Sequence, residues 1–206
     1  YTIPLCLNVD NNFSNEKNFF IKKKLHKVNQ NLYSPVISFI GRINSKKGIE
    51  TIIESAIILK KKNIIPFFFI GGLCSYTYEK KLKKILNING LDNVILVTNG
   101  INNKETPYYY YNSDIAVHIS NIFEGMSYSI LEAMLNECVV ITNYSNEIIS
   151  DNAIFVKKST SEYLSKIIIK LINNKNMINS IKLKAKKTVE NNYSDKIFYN
   201  FFSKIY

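Results

Sequence analysis

Short, uniformly apolar runs return along the chain at regular intervals: "VISFI" (36–40), "PFFFI" (66–70), "VILVT" (94–98), "IAVHI" (115–119), "CVVIT" (138–142) and "AIFV" (153–156). Most are rich in β-branched or aromatic residues and do not alternate with polar ones, as expected of strands buried on both faces. Between most of them the apolar period lengthens to that of a helix. Ile49, Ile52, Ile53, Ala56 and Leu59 form an i, i+3, i+4 stripe closed by lysines at 60–62. "YEKKLKKILNING" (78–90) is a second helical segment, ending at Gly90, and "SYSILEAML" (127–135) is a third. From 161 onward the chain reads as helical, with breaks near Asn173 and Asn174 and again near Asn191 and Asn192. Strand, helix, strand, repeated, predicts one doubly wound, Rossmann-like α/β domain of about six parallel strands in the order 3-2-1-4-5-6. The predicted division is a polar, linker-like segment over 1–34, the α/β domain over 35–190 and a closing helix over 191–206.

Composition changes this picture little. The 206 residues carry a net charge of +11, which raises a nucleic-acid or anionic-membrane partner as a question. The lysines are spread over separate helices, at 22–24, 60–62, 80–84 and 182–187, and no interleaved aromatics and glycines mark an RNA-binding surface. Solvated lysine faces explain the charge, and no nucleic acid is expected. Cys6, Cys74 and Cys138 are an odd number without CxxC spacing, which predicts a reducing compartment, the cytoplasm, and no zinc site. The longest apolar run, at 64–74, is too short to span a bilayer. The opening residues lack the basic-then-apolar order of a secretory signal and an initiator Met, so a fragment or excised domain is expected.

Open parallel sheets bind ligands beyond the carboxyl ends of their strands, where the strand order reverses. With the order above, that crevice lies between the loops "GRINSKKG" (41–48) and "SNIFEG" (120–125). The first holds Arg42, the sole arginine among 27 basic residues. A guanidinium offers a planar fork that grips phosphate oxygens in pairs, whereas lysine is a point charge on a flexible stem. Gly41 lets the backbone turn off the strand. Lys47 sits five residues later, near the positive end of the next helix. Together they read as a clamp for a diphosphate; the alternative is an Arg paired with a structural carboxylate.

The second loop leads into "EGMSYSILE" (124–132). Glu124 and Glu132 are eight residues apart, about 12 Å along a helix, comparable to the span from the ribose to the far sugar of a nucleotide sugar. A carboxylate accepts two O–H bonds and so suits a vicinal diol. Glu132 fits the ribose, and Glu124 the hydroxyls of the transferred sugar. Gly125, Met126 and Ser127 between them offer backbone N–H groups at a helix N-terminus. The alternative is one solvent-facing and one capping glutamate.

With these motifs the sequence resembles the retaining glycosyltransferases of the group 1 type, family 4, of the GT-B fold. The likeness runs from about residue 34 to the end and is carried by "FIGRINSKKGIETIIESAIIL", "FFIGG", "LDNVILVTNGINNKETPYYYYNSDIAVHIS", "EGMSYSILEAM" and "SNEIISDNAIFV". "YTIPLCLNVDNNF" is similar to the hinge entering such a domain, and 193–206 to the family's closing helix.

The resemblance implies that Arg42 and Lys47 bind the donor diphosphate, Glu132 the ribose and Glu124 the donor sugar. It also puts the backbone from Thr98 to Gly100 near the base, and Gly71 and Gly72 beside the donor. It implies a retaining, metal-independent hexosyltransferase without a cofactor, using a UDP- or GDP-sugar to extend a glycan or glycolipid, and a peripheral contact at the inner face of the membrane. Its acceptor domain would be a second, N-terminal one, absent from this chain. The alternative is a non-catalytic nucleotide-binding half that needs that domain or a partner chain. Three positions depart from the family pattern: Glu137 stands where it has Gly, Val139 where it has Pro, and Asn146 where Pro precedes Glu147.

Other residues carry weaker expectations. His118 reads as a buried or rim histidine, with ligand contact as the alternative. The tyrosines at 108–111 read as a packing helix, and Cys138 as core. Tyr199, Phe201, Phe202 and Tyr206 are apolar enough to need a partner.

Overall fold

The computed structural model describes Leu7 and residues 14–28, 35–122, 127–144 and 152–203. Six parallel strands form one sheet in the order β3-β2-β1-β4-β5-β6. They are β1 (Val36–Ile40), β2 (Phe67–Gly72), β3 (Ile95–Asn99), β4 (Ile115–His118), β5 (Val139–Thr142) and β6 (Ile154–Phe155). β1, β2 and β5 are buried along their whole length, which is why their sequences do not alternate. Register is continuous from Ser38 opposite Phe69 and Ala116 to Val140 opposite Ala116. The Ser38 hydroxyl, inside this sheet, donates to the Ile115 carbonyl at 3.4 Å.

Helices cover both faces. α2 (Ile49–Lys61), α3 (Tyr76–Ile88) and α6 (Ser161–Ile172) close an aliphatic core. Ile49, Ile52, Ile53, Ala56 and Leu59, the stripe read from the sequence, are all buried there. Each of the isoleucines and Leu59 contributes roughly 1.5–3 kcal/mol by leaving water. On the other face α1 (Asn15–Val28), α4 (Thr106–Tyr111), α5 (Tyr128–Leu135) and α7 (Lys175–Asn192) enclose Phe67, Phe69, Tyr109 and Tyr110. Tyr109 lies flat on Phe69, with ring centroids 4.4 Å apart. Within the polar opening segment, α1 buries Ile21 and Leu25, and Asn112 donates to the Asn18 side chain at 2.7 Å. The C-terminal break falls at Tyr193 and Ser194, where Leu7 bridges to the start of α8 (Asp195–Phe202).

α5 ends where Glu137 takes a left-handed conformation, φ +60°. The Cys138 N–H then closes back on the Ala133 carbonyl at 2.9 Å, the turn that usually employs glycine. This is the position at which the sequence departs from the family's Gly. Among the described residues no helix is long and apolar enough to cross a membrane.

Candidate functional site

A cleft of about 490 Å³ opens at the carboxyl ends of β1, β4 and β5, the point where strand order reverses. One wall is the loop leaving β1. Gly41 still pairs with β2, its N–H meeting the Gly71 carbonyl at 2.9 Å, and Ile43 reaches the Leu73 carbonyl at 2.8 Å. Gly72, at φ +145°, lies so close that a β-carbon would run into the Gly41 carbonyl. Asn44 then caps a single 3-10 turn, Ser45–Lys47, accepting from the Lys46 N–H at 3.0 Å. Gly48 turns into α2 at φ +63°, pressed against Ile119, where a β-carbon would come within 2.8 Å. These constraints put Arg42 and Lys47 on the same wall, and both line the cleft.

The opposite rim is the loop leaving β4, and hydrogen bonds fasten it to the first loop. Ser120 Oγ donates to the Lys46 carbonyl at 3.0 Å, the Asn121 N–H to the same carbonyl at 2.8 Å, and Asn121 Nδ2 to the Ser45 carbonyl at 2.9 Å. Asn143, just past β5, holds Ser120 from the other side. Its Oδ1 accepts from the Ser120 N–H at 3.0 Å, and its Nδ2 donates to the Ser120 carbonyl at 2.6 Å. Ser120 and Asn121, at the start of the second loop singled out in the sequence, therefore lie against the first. The clasp of Ser120, Asn121 and Asn143 was not read from the sequence; its one signal is a polar residue directly after a buried strand.

α5 supplies the third side through Ser127, Ser129 and Ile130. Ser127 caps the helix, accepting from the Ser129 N–H at 3.3 Å. Glu124, Gly125 and Met126 lie outside the described residues. Glu132 is half-buried on the turn after Ser129 and is not among the residues lining the cleft; burial raises its pKa above the ordinary carboxylate value. Thr98 and Gly100 also stand outside the lining, at the end of the edge strand β3. Asn99 between them ties that end to the loop after β2, donating to the Cys74 carbonyl at 3.0 Å and to Glu79 at 2.9 Å. The site thus brings together Gly41, Arg42, Lys47 and Ser127, with Glu132 behind them and Thr98 and Gly100 to one side.

His118 closes the floor. Its Nε2 lies 3.1 Å from the Tyr110 hydroxyl, and its ring is 5.8 Å from that of Phe39. Burial, and then the Lys47 ammonium, push its pKa down to about 3, so the imidazole is neutral at ordinary pH. Cys138 is buried beneath β5 with its thiol pKa raised by burial, a core residue as expected.

Residues 20–188 match the family model described as glycosyl transferases group 1. Over 194 residues the chain is 28% identical to the capsular polysaccharide biosynthesis glycosyltransferase CapM of Staphylococcus aureus, covering 90% of this chain and 49% of that protein. The C-terminal domain of a group 1 glycosyl transferase, LpcC of Francisella tularensis, superposes with a TM-score of 0.69 at 27% identity, covering 83% of this chain and 93% of that one. Anabaena HepE, solved with UDP and glucose, shares the fold at a TM-score of 0.78 and 16% identity, over 97% of this chain and 54% of its own. The chain spans about half the length of the curated relatives it matches.

Proposed function

The chain belongs to the group 1 glycosyltransferases, and from that premise we propose that it is the donor-binding half of an enzyme moving a sugar from a nucleoside diphosphate to a glycan or glycolipid. The observation that carries this reading is the delivery of Arg42 and Lys47, by one constrained loop, onto the wall of a cleft at the sheet's reversal point. Two cations at that spot suit a diphosphate, and their charge stabilises the diphosphate as it leaves the sugar. No metal ion or cofactor is needed for that step. Glu124 holds the transferred sugar, and the backbone of Gly125, Met126 and Ser127 adds N–H groups. Glu132 holds the ribose; Ser127 and Ser129 bring its helix to the cleft one turn earlier. Thr98 and Gly100 lie toward the base. The donor is a UDP- or GDP-sugar, the anomeric configuration is retained, and the reaction runs in the cytoplasm at the inner face of a membrane. The acceptor is held by a domain outside this chain.

Calorimetric titration with UDP, GDP and their sugars tests this. A charge-assisted hydrogen bond contributes about 1.5–3 kcal/mol, so Arg42→Ala is expected to weaken binding by roughly tenfold to a hundredfold. Failure of the wild type to bind, or equal binding by the variant, contradicts the reading. A second reading, favoured by the chain's spanning about half of its curated relatives, is a nucleotide-binding half that is inactive without a partner. Sugar transfer by the 206 residues alone rejects it.

A further inference from the structure

Strand alternation places His118 on the aromatic side of the sheet. Ile115 and Val117 of β4 enter the aliphatic core, while Ala116 enters the core beneath α4 and α5. A polar ring at the last position of a buried strand calls for matched hydrogen bonds. The Tyr110 hydroxyl meets Nε2 at 3.1 Å. Tyr110 is itself wholly buried, and Nε2 is the hydrogen-bond partner the structure gives its hydroxyl. A buried phenol gives its proton to the acceptor it meets, and here that acceptor is Nε2. The tautomer that follows carries its proton on Nδ1. Among the described residues no protein group pairs with Nδ1, although the ring lines the cleft beside Lys47.

We infer that His118 is a ligand-contacting residue of this cleft, its Nδ1–H donating to an oxygen of the bound diphosphate beside Lys47, with Tyr110 as the positioning residue that fixes ring and tautomer. The inference rests on the reading of the cleft as a nucleotide-sugar site. A neutral imidazole suits the place: it adds a directed donor without a second full charge against the Lys47 ammonium. Phe39 on one side and Tyr110 behind leave the ring little freedom to turn away. The arrangement also explains a tyrosine rather than a phenylalanine at 110, whose hydroxyl would otherwise be a liability in a closed core.

The experiment combines calorimetry on variants with NMR on the wild type. UDP and GDP are titrated into the 206-residue chain and into His118→Leu, His118→Asn, Tyr110→Phe and Arg42→Ala. Loss of one neutral hydrogen bond corresponds to roughly threefold to tenfold in affinity. His118→Leu is expected to lose that factor. His118→Asn, whose amide nitrogen stands near the place of Nδ1, is expected to recover most of it, and Tyr110→Phe to fall between. In parallel, the chain labelled with ¹⁵N-histidine gives signals from two histidines, His26 and His118, assigned by His118→Asn. The His118 signals are expected to show the proton on Nδ1 and to move on saturation with UDP. Unchanged affinity in His118→Leu, or His118 signals indifferent to bound UDP, overturns the inference while a loss in Arg42→Ala leaves the site reading standing. Absence of nucleotide binding by the wild type overturns both. The NMR arm uses the unaltered protein, so misfolding of a variant does not cloud the result.

Discussion

On one face of the sheet Ile49, Ile53 and Leu59 of α2 pack with Leu164 and Ile168 of α6 in a mostly aliphatic layer that also holds Phe39 and Phe68. On the other, α4 and α5 bury Tyr108, Tyr109, Tyr110 and Cys138 against Phe67 and Phe69, so hydroxyl and thiol groups are carried into the core. Both layers are equally closed to water, but they make different demands. The aliphatic layer depends chiefly on volume and shape, its buried serines Ser55 and Ser165 bonding within their own helices. The aromatic layer must also match each polar group with a partner. Its bonded pair, Tyr110 and His118, ends at the cleft. The cleft draws on both layers: Phe39 and Ile119 come to it from the aliphatic side, and His118 from the aromatic one.

Four measurements probe the two layers separately. Ile53→Ala opens a cavity in the aliphatic layer and is expected to cost about 2–5 kcal/mol in urea unfolding. Ile53 is not among the residues lining the cleft, so its effect on nucleotide affinity, measured where the variant is folded, should be negligible; a parallel loss would mean that the packing of α2 sets the shape of the cleft. The next effect is a dependence on pH. His118 has an ordinary value near 6.5 when unfolded and about 3 when folded. The unfolded chain therefore takes up a proton first, and stability drains away as pH falls from about 6.5 toward 3. The slope from this group is at most about 1.4 kcal/mol per pH unit. Unfolding of the wild type and of His118→Asn at pH 7 and pH 5 isolates it, and identical pH dependence would contradict a neutral imidazole in the folded chain.

Tyr110→Phe removes one buried hydroxyl and is expected to cost about 1 kcal/mol, more than an equal deletion on a surface. A stabilising result would mean that the bond between Tyr110 and His118 does not offset the burial of the hydroxyl. The smallest effect belongs to Glu137, whose left-handed backbone costs roughly 1 kcal/mol or a little more in a non-glycine residue. Glu137→Gly relieves it but forfeits the half-exposed pair with Lys186 at 2.7 Å, a pair of small value. A net gain of about 0.5–1 kcal/mol is expected by thermal unfolding.

The sheet was legible because every strand is a short apolar run bounded by helical periodicity, and the sheet order follows from right-handed crossovers. The approach of residues 120 and 121 to the loop 41–48 came with that order. α1 was hidden in the polar opening segment, since two exposed phenylalanines, Phe19 and Phe20, blur the stripe formed by Ile21 and Leu25. Asn143 was invisible because one asparagine after one strand carries no spacing to recognise; its importance comes from two hydrogen bonds across 23 residues. The link between Tyr110 and His118 depends on how α4 lies over β4, and nothing in eight residues of sequence separation announces it. The Gly position that holds Glu137 was legible as a departure, and the backbone explains why glycine suits it.

In the proposed site Arg42 and Lys47 grasp a diphosphate from one wall of the cleft. A crystal structure of the chain with UDP or GDP decides the matter. The phosphates are expected between the Arg42 guanidinium and the Lys47 ammonium, above the carboxyl ends of β1 and β4. A nucleotide bound elsewhere, or phosphates out of hydrogen-bond reach of both side chains, contradicts it.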